Sequence, residues 1–124
     1  MKQAIHSDEA PNAVGPYSQA IAYKEILFIS GQIGIDPKTG ILAGGIEAQT
    51  QTTLKNIGEV LKAADSDFDK VLKTTIYLKN LKDYKTVNSI YATFFKADPP
   101  ARATIQVAAI PMGALVEIEL IAHR

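Results

Sequence analysis

Pro99-Pro100-Ala101-Arg102-Ala103-Thr104-Ile105-Gln106-Val107 leads, after two alanines, into Ile110-Pro111-Met112-Gly113-Ala114-Leu115-Val116-Glu117-Ile118-Glu119. Two strand-like runs are joined by a Pro/Gly turn, which predicts a terminal hairpin. The paired prolines fix φ and push the residues before them into extended geometry, so Arg102 hangs from a stiff arm. A guanidinium held that way presents a planar fork matched to a small carboxylate. Glu117, on the second run, is a candidate proton handler. A structural ion pair between Arg102 and Glu117 explains the same pattern, and spacing alone does not choose between the two.

Working outward, Val116, Ile118, Leu120 and Ala122 alternate with Leu115, Glu117, Glu119 and Ile121, the signature of a strand with one buried face. Upstream, Leu81 to Phe95 carries Tyr84, Val87, Ile90/Tyr91 and Phe94/Phe95 at helical spacing. Val71 to Leu78 has period two, with Leu72, Thr74, Ile76 and Leu78 opposed to Val71, Lys73, Thr75 and Tyr77. Ile46 to Ala64 returns to period 3.6: Thr53/Leu54, Ile57, Val60/Leu61 and Ala64 line one face, with Gln51, Lys55, Asn56, Glu59 and Lys62 on the other. Asp36-Pro37-Lys38-Thr39-Gly40 is a turn. Ile26 to Ser30, continuously apolar, predicts a strand buried on both faces. Tyr17 to Tyr23 and the first six residues supply two more strands.

The chain therefore reads as one α+β domain, residues 1–124, with a mixed six-stranded sheet. Two helices cover one face of such a sheet and leave the other bare. That face keeps Leu115, Ile121 and Ile105 or Thr104, so it predicts a homo-oligomer with Glu117 and Glu119 near the junction.

Composition narrows the function. In 124 residues, 13 basic side chains balance 13 acidic ones and hydrophobic residues make up 47%. That is an ordinary globular balance, and the lack of a Lys/Arg cluster argues against a nucleic-acid partner. The absence of cysteine excludes disulfides and thiol chemistry. With no leader-like N-terminus and no apolar run of about 18 residues, a cytoplasmic protein with no membrane association is expected.

Several motifs dissolve on inspection. Asp65-Ser66-Asp67-Phe68-Asp69 imitates a calcium loop, but Lys70 stands where glycine is needed and Ile76 where a glutamate is. His6 and His123 lack ligand spacing, so no metal is expected. Gly31-Gln32-Ile33-Gly34 has no basic flank to support a phosphate role. Tyr84 and Tyr91 suit core aromatics and Asn88 a solvated amide. Tyr17, after a Gly-Pro turn, suits a pocket wall.

Gly15-Pro16-Tyr17-Ser18-Gln19-Ala20, Ser30-Gly31-Gln32-Ile33, Val87-Asn88, Pro100-Ala101-Arg102 and Val116-Glu117-Ile118-Glu119 together resemble the RidA (YjgF/YER057c) family of reactive intermediate deaminases. The resemblance implies a chorismate-mutase-like fold with two helices on one face of the sheet, a homotrimer, and active sites between subunits. It implies hydrolysis of 2-imino and 2-enamino acids, such as 2-aminoacrylate and 2-iminopropionate, to 2-oxo acids and ammonia without a cofactor. By that resemblance Arg102, helped by the Gly31 N–H, binds the substrate carboxylate, and Glu117 holds the attacking water. The Thr104 carbonyl accepts from the imine nitrogen, while Tyr17, Ser30 and Asn88 shape the pocket. Many members read Arg-Ser-Cys where this chain has Arg102-Ala103-Thr104. Glu119 lies on the same strand face as Glu117, and only the motif separates their roles. Two other functions remain open: an endoribonuclease or translation inhibitor, and a non-enzymatic trimer that binds 2-oxo acids or acts as a chaperone.

Overall fold

The computed structural model describes residues 1–124. Six strands form one sheet in the order β1-β2-β3-β6-β4-β5: β1 Gln3–Ile5, β2 Ala20–Tyr23, β3 Ile26–Gln32, β4 Val71–Leu78, β5 Ala101–Gln106 and β6 Val116–His123. Helix α1, Gly45–Ala63, joins β3 to β4, and α2, Tyr84–Tyr91, joins β4 to β5. β4 and β5 are parallel, and β6 runs antiparallel to both β3 and β4. The two crossovers therefore step in the same direction between strands of like sense. Right-handed connections of that kind put both helices on one face. Leu54, Ile57 and Leu61 of α1 and Val87 and Tyr91 of α2 share one core with Ile76, Val116, Ile118 and Leu120 of the sheet. Full burial of each such aliphatic side chain contributes about 1.5–3 kcal/mol.

The predicted hairpin does not form. β5 pairs only with β4, at the sheet edge, while β6 passes to the far side of β4 and inserts between β3 and β4. Burial explains the exchange. Every second residue of β6 is buried, whereas no residue of β5 is, so β6 belongs in the sheet centre and β5 at its rim.

Other differences are local. β3 alternates rather than burying both faces: Leu27 and Ile29 are buried and Phe28 is 49% exposed. In β4 a bulge between Val71 and Lys73 turns Val71 inward and leaves Leu72 exposed. Asn56, expected on the solvent side of α1, is buried because its amide donates to the Ile35 carbonyl at 2.8 Å. Tyr17 to Gln19 lie outside β2, and α2 ends at Tyr91, well short of Phe95.

The bare face carries Ile21, Phe28 and Ile121 in register across β2, β3 and β6, with Ile105 at the β5 edge. Thr104 points the other way, toward the helices, because it pairs with the fully buried Ile76.

A candidate active site in two halves

On the bare face, β6 presents Glu117 and Glu119. Opposite them β3 bulges between Ile29 and Gln32, which brings Gly31 against Glu117. A Cβ at Gly31 would stand 2.6 Å from Glu117 Oε1, so only glycine lets the carboxyl lie along the backbone. Burial first, and the Glu119 charge second, raise the Glu117 pKa above its ordinary value. Glu119 is engaged elsewhere: Tyr77, on β4, donates its hydroxyl to Glu119 Oε1 at 2.5 Å. That bond is the main reason the Tyr77 pKa is pushed up to about 12. Glu117 has no hydrogen-bond or ion-pair partner within the chain. The two glutamates that spacing could not separate are thus separated by geometry, with one tethered and one free.

In front of Glu117 lies a cavity of about 690 Å³ walled by Tyr17, Ser30, Gly31, Ile33 and Met112. Its loop wall is held by Gln19, a residue the sequence did not single out for this. The Gln19 side chain accepts the Ser7 N–H at 2.7 Å and donates to the Pro11 carbonyl at 2.8 Å. Ser30 donates its hydroxyl to the Ser18 carbonyl at 2.6 Å, so it braces the wall. The Val14 N–H donates to the Tyr17 hydroxyl at 3.4 Å, closing the same loop.

Arg102 belongs to the other face. It pairs with Thr74, whose side chain is buried under α2 and hydrogen-bonded to the Tyr91 hydroxyl at 2.8 Å. The guanidinium donates through Nη2 to the Tyr84 hydroxyl at 3.0 Å. Its central carbon lies 5.5 Å from the Tyr84 ring centre and 5.0 Å from that of Tyr91. Rings attract the cation without neutralising it. The chain's one ion pair joins His6 to Asp8, so Arg102 has no carboxylate within 4.0 Å. Asn88 sits one turn after Tyr84 on α2, and Thr104 is on the Arg102 side of β5. The Thr104 hydroxyl is buried with no hydrogen-bond partner.

The structure thus brings Arg102, Thr104 and Asn88 together on one face, and Tyr17, Ser30, Gly31 and Glu117 on the other. The Arg102–Glu117 ion pair that the sequence allowed does not exist, because β4 separates their strands and the two side chains leave opposite faces of the sheet. Tyr91 is the core aromatic its spacing predicts, whereas Tyr84 is exposed, and both rings lie against the arginine. Their i, i+7 spacing on α2 was visible, but the strand that lies beside them was not. No group of three or more His, Asp or Glu side chains is placed to hold a metal ion, and no helix is long and apolar enough to cross a membrane.

Residues 7–124 match the family model described as Endoribonuclease L-PSP. The chain is 51% identical over 122 residues to Reactive Intermediate Deaminase A, chloroplastic, of Arabidopsis thaliana, covering 98% of this chain and 65% of that protein. It is 49% identical over 123 residues to the 2-iminobutanoate/2-iminopropanoate deaminase of Mus musculus, covering 98% and 91%. The crystal structure of YyfA, a protein of the conserved Rid family from Yersinia pestis, superposes with a TM-score of 0.98 at 51% identity over the whole of both chains. The α+β chorismate-mutase-like architecture, the motifs on both sheet faces and these likenesses over nearly the whole chain agree, and the chain belongs to the RidA/YjgF family.

Proposed function

We propose that this protein hydrolyses reactive 2-imino and 2-enamino acids to 2-oxo acids and ammonia, the activity its relatives at about half identity are named for. One observation carries the reading to the level of residues. An uncompensated guanidinium and an uncompensated glutamate of raised pKa sit on opposite faces of the same sheet, so neither can serve a substrate held by the other within one chain. Bringing them together takes a second copy. The apolar row of Ile21, Phe28 and Ile121 on the bare face is the surface on which copies would pack, in a homotrimer with a site at each junction.

In such a site the fork of Arg102 binds the substrate carboxylate, with the Gly31 N–H of the neighbouring copy assisting. Glu117 of that copy holds a water against the imine carbon and accepts its proton as the C–O bond forms. The C=N electron pair moves to nitrogen, which takes up a proton from solvent. Glu117 then returns its proton to the amine, the C–N bond breaks, and loss of the hydroxyl proton leaves a 2-oxo acid and ammonia. A carboxyl held above its usual pKa suits both directions of transfer. The Thr104 carbonyl accepts from the substrate nitrogen. β5 is an edge strand, so part of its backbone has no strand partner. Tyr17, Ser30 and Asn88 shape the pocket. An imine carbon is already electrophilic, so orientation beside a positioned water suffices. The even charge balance favours this small-molecule substrate over a nucleic acid.

The test is turnover of imine generated in situ by an amino-acid oxidase, followed as release of 2-oxo acid. Acceleration over the spontaneous rate is expected. An unchanged rate, with retained binding of 2-oxo acid, would favour the non-enzymatic carboxylate-binding reading.

A further inference from the structure

The mechanism above leaves the Tyr84 hydroxyl idle, yet its surroundings are unusual. Tyr84 opens α2 and is 42% exposed, although its spacing suits the core. Its oxygen accepts from Arg102 Nη2 at 3.0 Å. Asn88 follows Tyr84 by one turn on α2. Hydrogen bonding from Asn88 first, then the Arg102 charge, draws the Tyr84 pKa below its ordinary value. A phenol oxygen approached by N–H donors directs its own proton away from them. No group of the chain accepts that proton. The neighbouring guanidinium is equally without an anion. An O–H donor and a charged N–H fork therefore converge on one exposed spot, and an acceptor bridging them would be anionic with two oxygens.

We propose that Tyr84 is a second substrate-binding residue, whose hydroxyl donates to the same carboxylate that Arg102 grips. The proposal rests on the reading of Arg102 as the carboxylate anchor. It also gives Asn88 a defined role: from one turn along α2 its amide fixes the Tyr84 oxygen, so the hydroxyl points outward without reorganisation when substrate arrives. The Tyr91 ring, with its centre 5.0 Å from the guanidinium carbon, also helps to hold the fork.

Tyr84→Phe keeps the ring and removes only the donor. Calorimetric binding of 2-oxobutanoate and steady-state turnover of oxidase-generated imine are compared for the wild type, Tyr84→Phe and Arg102→Ala. A lost hydrogen bond to a charged group predicts a KM and a Kd for 2-oxobutanoate raised about tenfold in Tyr84→Phe, with kcat within about twofold and the melting temperature unchanged. Tyr84→Phe binding like wild type while Arg102→Ala loses binding would overturn this inference and leave the anchor reading standing. Arg102→Ala binding like wild type would overturn both. A parallel fall in kcat and melting temperature would assign Tyr84 to the scaffold and also refute the proposal.

Discussion

The two faces of the sheet solve opposite electrostatic problems. On the helix face a cation at the rim is kept charged and available, stacked by Tyr84 and Tyr91 and paired with no anion. On the bare face an anion in the central strand is pushed toward its neutral form by burial and by Glu119. A rim arginine remains accessible to a charged ligand, and a half-buried glutamate gains the proton affinity that a transfer role needs. Within one chain the two groups stay apart on opposite faces of the sheet.

The contrast is broken most severely by Arg102→Ala. Removal of a bidentate, charge-assisted anchor lowers kcat/KM by about 10³-fold, and a partly exposed rim position leaves the melting temperature unaltered. Steady-state kinetics alongside thermal melts check both statements. Glu117→Gln keeps the shape of the other half and removes its proton handling. The expectation is a fall of about 10²-fold in kcat with KM little changed, and a raised KM with kcat unchanged would instead mark Glu117 as a binding group.

Much of this arrangement was legible in residues and much was not. The alternation in β6 located Glu117 and the buried stripe of Val116, Ile118, Leu120 and Ala122 correctly. The stripe of α1 was equally plain, Asn56 excepted, and a single amide escapes detection because its partner carbonyl lies 21 residues away. Strand neighbours were the main failure. Periodicity reports which face a residue takes and says nothing about which strand lies alongside, so β5 and β6, adjacent in sequence, passed for a hairpin. The same gap hid the arginine cradle, since Tyr84 and Tyr91 meet Arg102 only through the parallel β4–β5 pairing. The bulges in β3 and β4 each displaced the alternation by one residue, and neither left a mark in the hydrophobic pattern. The resemblance named the site residues; it did not show that one chain divides them between two faces.

Gly31→Ala thrusts a methyl group against Glu117 Oε1, the mobile end of a side chain, so the carboxyl yields rather than the backbone. Stability should hold while kcat falls about tenfold or more from misplacement of the base, and stability and kinetics measured on one sample separate the two effects. Glu119→Gln has the mildest consequence. Loss of a like charge makes Glu117 easier to ionise, so the acid limb of the kcat/KM profile moves to lower pH. It moves only part of the way, because burial is the larger cause of the shift. The pH–rate profile of the variant checks the direction, and movement to higher pH would contradict it.

In the proposed assembly, the cation and the carboxylate acting on one substrate come from different copies of the chain. Arg102→Ala and Glu117→Gln, each expected to keep about a hundredth of wild-type activity or less, are unfolded together, refolded as a mixture and assayed for imine hydrolysis. With random assembly, about one quarter of junctions in an equimolar mixture combine an intact Arg102 from one copy with an intact Glu117 from its neighbour, so activity near a quarter of wild type is predicted. A mixture that stays as inactive as its two components, though assembled to the same size as wild type, would contradict the account.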